Sequence, residues 1–163
     1  MSLRIRQAGP EDCQAVASLV QQYWRFEQID GFDRDRIIHL LQGFVARPEQ
    51  GCCWVADHGG ELRAYLLASY LFSLEFGGTI AEVDELFVLE PHRGAGLAAA
   101  LLQRAVTQMQ QAQIMALQLE LGLHNQVART FYRRHGFIER SDYELLVKTL
   151  DPCGEMRTGH QNA

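Results

Sequence analysis

Arg93, Gly94 and Gly96 stand just before a run that patterns as a helix, in "LEPHRGAGLAAALLQ" (residues 89–103). A helix start carries up to about four unpaired N–H groups and about half a unit of positive charge. Glycines leave those groups bare, and phosphate oxygens suit them. Ala95 and Ala98 keep the approach open, while Arg93 either adds charge or braces the turn. Several N–H bonds to a charged phosphate, at about 1.5–3 kcal/mol each, outweigh one dipole contact of about 0.3–2 kcal/mol. The plainer alternative is a tight turn that lets the helix pack on a sheet.

Three phosphate motifs compete for this stretch. A P-loop needs GxxxxGK[ST], and no Gly-Lys-Ser or Gly-Lys-Thr occurs. The dinucleotide fingerprint GxGxx[GA] is formally met by Gly94, Gly96 and Ala99, with Glu120 about 20 residues on. Its context is wrong, because Glu90-Pro91-His92-Arg93 separates the glycines from the apolar strand and that strand carries Glu82, Asp84 and Glu85. The third pattern, [QR]xxGx[GA], is met by Arg93, Gly96 and Ala98.

The elements that must position this turn follow from periodicity. Residues 2–8 alternate as a short strand, with Leu3 and Ile5 on one face. Residues 9–27 and 32–48 read as two helices. Two strands over residues 51–72 join at a hairpin, Asp57-His58-Gly59-Gly60. A loop at 73–80, a strand at 81–90, the helix at 96–113 and a strand at 114–123 follow. A short helix within 125–137 closes at Gly136. The alternation of "YELLVKTL" predicts a last strand over 143–150. The order βααβββαβαβ predicts an α/β fold: a mixed sheet with helices on both faces. Residues 1–150 read as one domain and 151–163 as a polar tail.

The 163 residues and 47% apolar content fit one globular domain, and the formal charge of −5 argues against a nucleic-acid partner. Cys13, Cys52, Cys53 and Cys153 form no CxxC pair, and the histidines form no HxxxH cluster, so no metal site is expected. There is no signal-peptide core and no run near 18 apolar residues, so we expect a cytoplasmic protein that does not engage membrane.

"DELFVLEPHRGAGLAAALL" closely resembles the central motif of the GNAT superfamily of acyl-CoA-dependent N-acetyltransferases, and "NQVARTFYRRHGF" resembles its next motif. The resemblance covers nearly the whole chain in element order. It implies the GNAT-like acyltransferase fold, a mostly antiparallel sheet splayed at a cofactor groove. It also implies direct transfer from acetyl-CoA to a primary amine of a small molecule or peptide. Backbone groups of Phe87 and Val88 would bond the pantetheine arm. The N–H groups of Arg93, Gly94, Ala95, Gly96, Leu97 and Ala98 would hold the pyrophosphate. Asn125 would bond the arm from the other side, cap its helix, or do both. Tyr132 would touch the cofactor and protonate the departing thiolate; the plainer role for it is a packed helix aromatic, although Phe131 is the better core candidate.

The base is open between Glu82 and Asp84. These two share one strand face, with Glu85 opposite unless a bulge intervenes. Asp84 and Glu85 resemble the acidic pair of polyamine-acetylating relatives, and Glu82 resembles the acid of protein-lysine-acetylating ones. Each could equally belong to a solvated or salt-bridged strand face. Glu85 is expected to contact the acceptor, and Glu75 either lines the same pocket or is a loop charge. Trp24, Phe26 and Phe32 either shape an aromatic acceptor pocket or pack in the core. His39 and His124 are within reach of a pocket, but exposed roles are the plainer reading. The family often dimerises, which leaves room for a homodimer. Two other classes stay in view: a CoA-binding sensor without catalysis and a dinucleotide-binding domain.

Overall fold

The computed structural model describes residues 2–150. The chain divides into two compact units, one ending at Glu120 and one beginning at Leu121. The first unit is built on a five-stranded sheet, with β1 Leu3–Gln7, β2 Gly51–His58, β3 Glu61–Ser73, β4 Gly78–Val88 and β5 Leu117–Leu119 in spatial order β1-β2-β3-β4-β5. The pairs β1–β2, β2–β3 and β3–β4 are antiparallel, and only β4–β5 is parallel. This is the mixed sheet that the element order predicts. It lacks the repeated parallel βαβ halves that a dinucleotide-binding domain requires.

Helices cover both faces. Helix α1 (Cys13–Phe26) buries Cys13, Val16, Ala17, Leu19 and Val20, positions spaced for one helical stripe. They pack with Cys53, Val55, Tyr65 and Phe87 of the sheet and Leu41 of α2 (Arg34–Val45). Asp33 starts α2 by accepting from Arg36 N at 3.1 Å, so the helix begins later than the apolar pattern suggests. On the other face, α3 (Leu97–Gln111) buries Leu101, Leu102, Ala105 and Met109, and Gln108 Oε1 accepts from Trp54 Nε1 at 3.0 Å. Cys52 and Cys53, adjacent on a strand, therefore turn to opposite faces and remain free thiols. Cys153 lies outside the described residues.

The hairpin between β2 and β3 forms where the turn residues predict. Gly59 and Gly60 take φ of 66° and 92°, and Asp57 Oδ1 accepts from Gly60 N at 2.8 Å. Two expectations change. The loop at 73–80 contracts to Leu74–Gly77, because β3 and β4 pair as far as Ser73 and Gly78. The strand expected over 114–123 keeps only Leu117–Leu119, since its ladder with β4 stops at Val83.

The second unit carries α4 (Gln126–Arg134), which ends before Gly136 at φ 85°. The strand expected over 143–150 is not formed. Those residues are irregular and exposed, Leu146 to 87%. Alternation marks a face for a strand, but a strand exists only where a neighbour completes its ladder.

One ionic cluster ties β1, β2 and α1 together. Asp12 is only 7% exposed and accepts from Arg6 Nη1 and Nη2 at 2.6 and 2.8 Å and from Gly9 N at 2.8 Å. Arg6 also reaches Asp57 at 2.9 Å. The Arg6 guanidinium holds the Asp12 carboxyl below its usual range. A lowered folded pKa contributes stability above the unfolded value and loses it as pH falls through the folded one. Asp12→Asn should therefore lower unfolding free energy by about 1–2 kcal/mol, the range for a hydrogen bond to a partly solvated charge. It should also flatten the acid side of the stability profile. Urea titrations from neutral pH down to about pH 3 check both outcomes.

Candidate active site

The β3–β4 ladder slips by one residue at its centre. Leu67 pairs with Glu85 and Ala68 with Val83, so Asp84 is an extra residue without a β3 partner. Ser69 pairs with Glu82, and Ser69 and Leu67 lie two apart on β3. Glu82 and Glu85 thus share the face under α1 and α2, so the simple alternation that sends Glu85 to the opposite face does not hold, while Asp84 lines the cavity beside Glu85 and still feels the charge of Glu82. The bulge that the sequence left open is present.

Glu85 is held from both sides. Tyr65 donates its hydroxyl to Oε2 at 2.5 Å, and Trp24 donates Nε1 to Oε1 at 2.8 Å. Burial pushes the Glu85 carboxyl up, while these two donors pull it down. A buried carboxylate without such partners would be costly. Asp84 forms no side-chain hydrogen bond among the described residues. It keeps an exposed outer side, yet desolvation of its carboxyl and then the charge of Glu82 raise its pKa. Glu120, just past β5, is raised by desolvation and then by Glu82 and Asp84. Glu82 itself accepts from Gln118 Nε2 at 2.6 Å.

Above Asp84 and Glu85 lies a cavity of about 480 Å³ between α1, α2 and the sheet. Trp24, His39, Phe44 and Leu67 are among its other walls. Its size suits a small molecule. Trp24 thus takes the pocket role, and Phe32 meets it edge-on with ring centroids 5.9 Å apart. Phe26 is exposed instead. Glu75 sits in the β3–β4 turn and is not among the cavity-lining residues. Tyr65 and Arg47 carried no signal in the sequence. Tyr65 becomes meaningful only through the β3–β4 register, and Arg47 only through the fold of α2 over the sheet.

The glycine turn begins where β4 ends. Pairing of β4 to β5 covers Ala81–Val83, so the strand runs on toward Val88 with no paired strand on that edge among the described residues. After a 3-10 turn at Glu90–His92, Gly94 and Gly96 take φ of 77° and 78°. A Cβ at either would touch no protein atom, so the requirement for glycine is conformational rather than steric. The first intrahelical bond of α3 is Ala100 N to Gly96 O at 3.0 Å, and Gly96 supplies no side-chain cap. The N–H groups of Leu97, Ala98 and Ala99 precede that bond, which leaves them free of i−4 partners. Arg93 braces the turn. Its Nε donates to Val88 O at 3.0 Å, and its guanidinium lies 4.8 Å from the Phe26 ring centroid and 5.5 Å from that of Phe87. The Phe87 ring is buried, 5.8 Å from Tyr23.

In the second unit, Asn125 caps α4, its Oδ1 accepting from Ala128 N at 3.0 Å. Tyr132 packs edge-on to Phe131 and Phe137, at 5.1 and 5.2 Å. Burial pushes its phenol up to about 12, so it holds its proton at neutral pH. Phe131 is only half-buried, so the core role expected of it is only partly met, and Val127 four residues before it is 86% exposed. His124 is exposed, and His135 Nδ1 lies 2.8 Å from Phe131 O.

Comparison with known proteins agrees with this geometry. The sequence profile of the acetyltransferase (GNAT) family matches residues 13–137. The uncharacterized N-acetyltransferase YhfO of Bacillus subtilis is 27% identical over 141 residues, covering 86% of this chain and 93% of that one. The integron cassette protein HFX_CASS3, from the mobile metagenome of Cole Harbour Salt Marsh, superposes with a TM-score of 0.79 at 28% identity over 91% of each chain. An acetyltransferase of Clostridium acetobutylicum crystallised with acetyl-CoA shares the fold, with a TM-score of 0.76 at 16% identity over 90% of this chain and 96% of its own. With most of its length matched by that profile, this chain belongs to the acetyltransferase (GNAT) family of acyltransferases.

Proposed function

We propose that the protein moves an acetyl group from acetyl-CoA to a primary amine by direct attack with both substrates bound. The observation that carries this reading is the bulge at Asp84. It turns Glu85 into the cavity and leaves Asp84 beside it, on the same strand that leads into the glycine turn.

The N–H groups from Gly94 to Ala98 hold the pyrophosphate, the left-handed glycines keep that backbone bare, and Arg93 N, expected among them, is instead donated to Glu90 O at 3.2 Å. The unpaired edge of β4 beyond Val83 takes the pantetheine arm through main-chain groups. Leu89 N is committed to Arg63 O on the β3 side at 2.9 Å. Strand alternation therefore presents Val88 to the open edge, whereas Phe87 acts mainly through its ring. Asn125 keeps its amide N–H groups for the arm while its oxygen caps α4. When bound, acetyl-CoA supplies an activated acetyl carbonyl and a thiolate leaving group.

The carboxylates divide the remaining work. Glu85, with both oxygens committed, is a fixed anion that attracts the ammonium form of the acceptor. Asp84, with its raised pKa, takes the proton that frees the nitrogen lone pair. A lysine-like amine needs this help, since its pKa lies near 10.4. A C–N bond then forms and the C–S bond breaks; Tyr132 gives its proton to the sulfur, and the second proton shed by the new amide nitrogen restores the phenol. Glu82 tunes Asp84 through its charge.

A thiol-release assay with acetyl-CoA across classes of amine tests the activity. Tyr132→Phe and Asp84→Asn should each lower kcat by about 10²–10⁴-fold, the usual worth of a positioned acid or base. Asp84 works only when deprotonated, and its pKa is raised. The rate should therefore fall as pH drops through a value above the ordinary carboxylate range of about 3.9, and Asp84→Asn should abolish that limb. Gly96→Ala forces a side chain into a left-handed conformation costing about 1–2 kcal/mol. It should raise the KM for acetyl-CoA more than it changes the KM for the amine, read from initial rates with each substrate varied.

A further inference from the structure

We infer that the acceptor carries one positive charge on an extended apolar stem that ends in an anionic group. This inference rests on the acetyl-transfer reading and names the acceptor class for the same site.

The cavity is charged at its ends and apolar between them. Asp84 and Glu85 form its acidic end, and the neighbouring Glu82 and Glu120 are not among its lining residues. Val20, Ile37, Leu40, Leu41, Phe44 and Leu67 supply the walls, which offer a ligand contact area but no hydrogen bonds. Arg47 and Gln50 close the lining near the connection from α2 to β2. Gln50 O accepts from Tyr70 N at 2.8 Å, whereas Glu85 lies opposite Leu67. The two ends are therefore about three strand positions apart along β3, roughly 10 Å.

The Arg47 guanidinium makes no ion pair or side-chain hydrogen bond among the described residues, and Arg47 is exposed at the cavity. Like charges across such a site select against a ligand with a cation at that end, and an opposite charge is drawn to it. A diamine or polyamine would set its second ammonium against Arg47, with His39 also in the lining. A polyhydroxylated amine would leave its hydroxyls unpaired against the apolar walls, which is costly. An ω-amino acid with a hydrocarbon stem satisfies all three zones.

A length-matched series isolates the far end: 8-aminooctanoate, octylamine and 1,8-diaminooctane, each assayed with acetyl-CoA and the full-length protein. The expected order of kcat/KM is carboxylate, then methyl, then ammonium, with at least tenfold between first and last. Arg47→Glu should invert that order, and Leu40→Asp, on a wall residue already 53% exposed, should lift the diamine relative to octylamine. A wild-type preference for the diamine, or an order unmoved by Arg47→Glu, overturns the inference. Octylamine ranking first overturns the anionic tail. If no member is acetylated although acetyl-CoA binds, the thiol-release screen across amine classes decides the acetyl-transfer reading separately. Binding of the same series, read from the Trp24 indole N–H resonance, then decides the inference by the same order, and absence of binding overturns it.

Discussion

Two hydrogen bonds to one carboxylate organise the first unit around its cavity. Tyr65 reaches Glu85 from the adjacent strand, and Trp24 reaches it from α1. A carboxylate among apolar neighbours is tolerable only with partners of this kind. The pair therefore dictates where α1 can lie over the sheet, and Trp24 in turn seats Phe32 at the entrance to α2. Remove the carboxylate and a phenol and an indole N–H are left to find other partners in a packed interior.

The bulge at Asp84 is what delivers Glu85 to that position. A regular β4 would send Glu85 toward α3, where Leu101, Leu102 and Ala105 make an apolar layer with no donors to meet it. One inserted residue exchanges a buried unsatisfied charge for a doubly hydrogen-bonded one. It also frees a second carboxyl from the ladder's alternation. The bulge and the end of β5 pairing at Val83 lie side by side, so the strand is altered on both edges over the same few residues.

What could be read from the sequence was local. The glycine turn is written in adjacent residues, because a positive φ and a helix start are short-range properties; so are the Gly59–Gly60 hairpin and the cap at Asn125. Features that depend on register were out of reach. The face of Glu85, the partnership of Tyr65 and the shortness of β5 are all decided by pairing between distant strands. The segment at 143–150 shows the same limit in reverse. Its alternating pattern promises a strand, and no ladder realises it among the described residues. The placing of Glu85 opposite Glu82 gave way for the reason the pattern itself allowed, a single bulge that reverses every face beyond it.

Arg93 has a consequence for how the protein behaves as a machine. Its guanidinium is shared between the carbonyl of Val88, the ring of Phe26 at the end of α1 and the ring of Phe87, which meets Tyr23 of α1 at a tilt. The glycine turn and the helix that walls the cavity thus hang on one side chain, like two doors on a common hinge pin. Loss of that side chain would release the turn and the end of α1 together while leaving the β3–β4 ladder intact.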